Sequence, residues 1–132
     1  LTCGAKAGFL RGIAEFNRGE FFQAHETWER LWLGASGSEK QFLQAVIQIA
    51  AAFHHWSRGN SSGTLSLLLR ANAALVDFPR TYEGIQLGRF RRETSRWVEI
   101  LDRGGAPRVL PRIQSVTLLQ RKSSGRASHA RN

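Results

Sequence analysis

The chain has 132 residues with four Trp and eight Phe, enough for one domain with a real core, and lacks an apolar run long enough to cross a bilayer. Its net charge of +9 is uneven: residues 1–103 hold thirteen Lys/Arg and all ten Asp/Glu, whereas residues 104–132 hold six Lys/Arg and no acid. Cys3 is the single cysteine, which excludes an internal disulfide and a cysteine-rich zinc site and fits a reducing cytoplasm.

No basic segment followed by an apolar one marks a leader near Leu1. Phe9, Ile13 and Phe16 recur at helical spacing and predict a first helix over residues 5–17. Asn17-Arg18-Gly19 ends it, glycine being suited to the left-handed residue past a helix terminus. A second helix follows from Glu20 to Gly34 and holds the least ordinary chemistry of the chain. At about 100° per residue, Phe21, Trp28, Trp32, Phe22 and Leu33 share one arc. His25 and Glu29 fall inside that arc, at about 40° and 80° from Phe21, while Gln23, Thr27 and Arg30 take the opposite side. A carboxylate placed there needs a partner, so Glu29→Ala is expected to cost about 1–3 kcal/mol.

The linker 35–37 is short, which favours an antiparallel neighbour. Ser38 then reads as an N-cap, with Gln41 completing a capping box. The third helix, from Glu39 to Ser57, carries no Lys, Arg, Asp or Glu between Lys40 and Arg58 and is therefore expected to be enclosed by the others. Phe42, Val46, Ile49 and Phe53 form its apolar stripe. Gln44, Gln48 and His55 form a neutral polar stripe placed to meet His25 and Glu29. A fourth helix runs from Asn60 or Ser61 to Val76, a loop from Pro79 to Gly84 carries Tyr82, and a fifth helix spans residues 87–102. Arg18-Gly19 and Arg58-Gly59, forty residues apart, hint at two stacked hairpins. From Gly104 the periodicity is lost, and the basic stretch 104–132 is expected to be mostly disordered. The fold class that results is all-α: a compact bundle of about five helices, built from antiparallel hairpins around a buried third helix, in a single domain over 1–103.

Several ordered motifs resemble a known family. They are Phe16-Asn17-Arg18-Gly19-Glu20-Phe21-Phe22, Ala24-His25-Glu26, Glu29, Trp32, Phe42-Leu43-Gln44, Ile47-Gln48, His55, Arg58-Gly59-Asn60 and Tyr82-Glu83-Gly84. Together, over roughly Phe9 to Leu101, they resemble the small proteins filed as domain of unknown function 309. The resemblance implies a compact helical fold. It implies little about activity, since some members are labelled predicted metal-dependent hydrolases without an established reaction.

Two functional readings follow from the residues. In one, His25, Glu29, Trp32, Gln44, Gln48 and His55 make a buried hydrogen-bond network with a structural or interaction role. In the other, His25, Glu29 and His55 ligate one divalent metal ion and Glu26 serves as the general base of a hydrolase. The first is adopted, because the motif is His-Glu-x-x-Glu rather than the two-histidine zinc form, and no second acidic cluster is present. Arg89, Arg92 and Arg96 line the outer side of the fifth helix and, with the basic tail, could touch phosphate. Interspersed with Glu93 and Glu99 they read as a solvated face, so a nucleic-acid partner is not expected.

Overall fold

The computed structural model describes residues 1–116, in which the helices are α1 (Cys3–Asn17), α2 (Phe21–Leu33), α3 (Gly37–Ser57), α4 (Ser61–Leu75) and α5 (Leu87–Asp102). Among these residues no strand accompanies the five helices; extended pairing is confined to the isolated bridges Tyr82–Ile85 and Ile85–Ser115. Three of the helices stop in the same way. At Arg18-Gly19, Arg58-Gly59 and Arg103-Gly104 the glycine takes a left-handed backbone, with φ of 81°, 79° and 80°. The N–H groups of that glycine and of the next residue then turn back onto the last carbonyls: Gly19 to Phe16 and Glu20 to Glu15, Gly59 to Trp56 and Asn60 to His55, Gly104 to Leu101 and Gly105 to Ile100. This satisfies acceptors that a helix end otherwise leaves open. The recurring Arg-Gly pair is thus accounted for as a way of ending a helix.

Successive helices pack on one another, α1 on α2, α2 on α3, α3 on α4 and α4 on α5. The charge-free run of the third helix after Lys40 does lie inside, burying Phe42, Leu43, Ala45, Val46, Ile47, Ile49, Ala50, Ala52 and Phe53. It begins at Gly37 with Ser36 as N-cap and no side-chain cap bond, so Ser38 and Gln41 do not form the expected capping box. Phe16 is the hub of the aromatic core: its ring lies 5.1 Å from Phe21, 5.5 Å from Phe90, and 6.1 Å from both Trp28 and Phe53. Such edge and offset contacts add specific attraction to the large apolar area buried. Gly12 is what lets α1 approach α2. A Cβ at this position would overlap the Trp28 indole, whose Nε1–H donates to the Phe9 carbonyl at 3.2 Å.

Residues 109–116 are tied to the helices by hydrogen bonds, although much of this segment is exposed and the stretch from Gly104 is expected to be mostly disordered. Ile113 is buried, and Asn17 at the end of α1 holds it by two bonds of 2.9 Å, accepting from the Ile113 N–H and donating to its carbonyl. Trp97 Nε1–H donates to the Val109 carbonyl at 3.0 Å, and the Gln86 N–H to the Gln114 carbonyl at 2.8 Å. A segment rich in Pro and Gly cannot satisfy its backbone by periodic bonding, but here helix side chains and the 82–86 loop do it instead. The rest of the stretch, 117–132, lies outside the described residues.

Candidate functional site

The rotation of α2 decides which of its side chains are available. Its buried residues are Phe21, Ala24, Thr27 and Trp28, whereas Phe22 and Leu33 are exposed. The inward face is therefore turned by close to one residue step, about 100°, from the arc that the apolar pattern indicates. Thr27, expected on the wet side, is buried and donates its hydroxyl to Glu15 Oε1 at 2.6 Å. Arg11 reaches the other Glu15 oxygen at 3.5 Å. The buried carboxylate that needs a partner is thus Glu15, and it has two.

His25 and Glu29 stand at the edge of that face. Their Nε2 and Oε2 atoms are 3.6 Å apart, with 28% of the His25 side chain and 55% of the Glu29 side chain exposed. At that exposure and separation the pair contributes little to stability, so the expected loss of about 1–3 kcal/mol on Glu29→Ala is corrected to a few tenths. The sealed network of the sequence reading is not what forms here. His25 Nδ1 is buried and has no hydrogen-bond partner among the described residues.

What forms instead is an open groove of about 430 Å³. From α2 it takes His25, Glu29, Trp32 and Leu33, from α3 Gln44 and Gln48, and from α4 Arg70, over a floor that includes Ile47, Ala51 and Leu67. Five of the six residues expected to cluster do come together. Lys40 Nζ lies 4.3 Å from the centre of the Trp32 ring, a cation–π contact at the same end. His55 is not part of it: its Nδ1 lies 3.2 Å from Asn60 Nδ2, at the turn between α3 and α4. Glu26 is exposed and does not line the groove. Arg70 was missed, although a signal was present, since it is the sole charged residue of α4.

The metal reading can be tested on the donor set. A catalytic zinc site needs three protein ligands and an open position. Of His25, Glu29 and His55, only the first two meet, and among the described residues no group of three or more His, Cys, Asp or Glu is placed to hold an ion. These side chains do not fit such a centre, and no step through one is derived.

Residues 9–67 match the model of the family described as domain of unknown function, DUF309. A curated relative, an uncharacterised protein of Aquifex aeolicus (strain VF5), is 27% identical over 101 residues, covering 76% of this chain. The matched region spans 30% of the length of that protein. The crystal structure of a conserved hypothetical protein from Thermus thermophilus is similar at 30% identity and a TM-score of 0.60, over 67% of this chain and 93% of that one. No helix among the described residues is long and apolar enough to cross a membrane.

Proposed function

The chain belongs to the DUF309 family, and we propose that it serves as an interaction module whose groove between α2, α3 and α4 receives a peptide segment of a partner protein. The observation that carries this is the combination of open hydrogen-bonding groups with uncovered apolar surface. Gln44, Gln48, Glu29 and Arg70 offer donors and acceptors of both signs around an aliphatic floor. Leu33, 71% exposed, extends the apolar surface at the rim. A concave apolar strip with a few convergent polar groups suits side-chain capture with orientation fixed by hydrogen bonds. A helical scaffold locked by aromatic packing supports this role, because a preformed groove loses less entropy on binding. The lone exposed Cys3 agrees with a reducing cytoplasm as its setting.

Peptides selected from a random library against the full chain test the reading. In nitrogen-15 NMR titrations they should shift the Trp32 indole and the Gln44 and Gln48 side-chain amides, and their affinity should fall at least tenfold on Trp32→Ala. Shifts confined to another face, or affinity unchanged by Trp32→Ala, would sink it.

A further inference from the structure

The docked C-terminal segment gives α5 a surface that neither piece has alone. A cleft of about 700 Å³ opens between them, lined by Arg89, Arg92 and Arg96 from the helix and by Arg108 and Arg112 from the segment. Glu93 is the one carboxylate in its lining, and both of its oxygens are engaged: Oε2 with Arg89 at 3.4 Å and Oε1 with the Arg112 N–H at 3.1 Å. Among the described residues, Arg92, Arg96 and Arg108 have no ion-pair partner. An adjoining recess shares Arg89 and Arg92 and adds Arg80.

From this we infer that the cleft is a binding site for the phosphate backbone of a nucleic acid. The cations are all arginines, whose planar forks match phosphate oxygens. Arg89, Arg92 and Arg96 stand at i, i+3 and i+7, which spreads them over about 10 Å along the helix axis. Four consecutive phosphates of one strand, three steps of about 3.4 Å, span about that axial length. Trp97, the aromatic residue in the lining, is buried with its indole N–H already bonded to Val109, and so offers no face for base stacking. Recognition is accordingly of backbone and not of base sequence.

Fluorescence anisotropy of the full chain with a labelled 20-base-pair DNA duplex and a labelled 20-nucleotide uridine RNA tests this site. Affinity for at least one should fall with salt along a log–log slope of about −3 or steeper. The double variant Arg92→Glu, Arg96→Glu should weaken binding at least tenfold and flatten the slope by about 2. Arg30→Glu with Arg58→Glu makes the same charge change at exposed sites outside the cleft and should weaken binding less than threefold. Circular dichroism should show that both variants stay folded; if the cleft variant does not, Arg92→Gln with Arg96→Gln takes its place, with the same tenfold loss expected. Equal losses in the two charge-changed proteins would overturn the proposal by reducing it to net charge. It is also overturned if neither nucleic acid binds, or if poly-glutamate or anionic phosphatidylserine vesicles compete as well as nucleic acid at equal charge.

Discussion

The two long edges of α2 differ in how their polar groups are treated. On the α1 side, Thr27, Glu15 and the Trp28 indole are buried, and each is bonded. On the α3–α4 side, His25, Glu29, Gln44 and Gln48 face an open groove, with His25 Nδ1 left unbonded. One helix thus carries a closed edge that holds the fold and an open edge free to bind. Polar residues in a helix sequence do not announce which edge they serve; the bonding of their atoms does.

Four single substitutions and one rescue measure the difference. Trp28→Ala should cost about 3–5 kcal/mol in urea denaturation, because it removes the largest fully buried side chain. Gly12→Ala should cost about 1–3 kcal/mol by forcing α1 off the Trp28 ring, and Trp28→Phe in the same chain should recover part of that loss. Thr27→Val, close to isosteric, should cost about 1–3 kcal/mol, since it removes a bond to a buried carboxylate. Glu29→Ala on the open edge should change stability by at most about 0.5 kcal/mol. A loss on Glu29→Ala as large as that on Thr27→Val would erase the distinction between the edges.

The smallest effect concerns Tyr82, the chain's one tyrosine, which lies beside Phe42 and Phe78. Burial first, and then the nearby Glu83 and Glu39 carboxylates, push its phenol above the ordinary value. The folded state therefore favours the neutral phenol. That contribution is whole below the unfolded value of about 10 and is lost as pH rises through the higher folded value. Absorbance at 295 nm should show the phenolate appearing at higher pH in the folded chain than in urea. Coincident curves would mean that the ring is solvated.

Much of the fold was legible because its causes are local. Phe9, Ile13 and Phe16 keep one period, Gly19 and Gly59 mark turns, and the uncharged run between Lys40 and Arg58 could only be an inner helix. The candidate site was legible in membership more than in exposure. Phe22 and Leu33 drew the inferred face of α2 toward themselves, yet both are exposed, and the side held by Thr27 is the buried one. That preference comes from Glu15, twelve residues earlier, and from the gap that Gly12 leaves for Trp28. Neither is visible in the period of α2 itself. His55 was grouped by spacing along α3, but its ring is taken by Asn60 at the following turn. The order of residues 109–116 was hidden because their backbone partners lie elsewhere in the chain, up to 96 positions away.

Asn17 gives that long-range tie a further meaning. A single carboxamide clasps Ile113, and the adjacent Arg112 adds a guanidinium bond to the Asn17 carbonyl at 3.2 Å. Removing the carboxamide by Asn17→Ala would loosen one wall of the arginine-lined cleft without removing any arginine. Phosphate affinity could then be dialled down from the far end of the first helix, by a change that alters no charge.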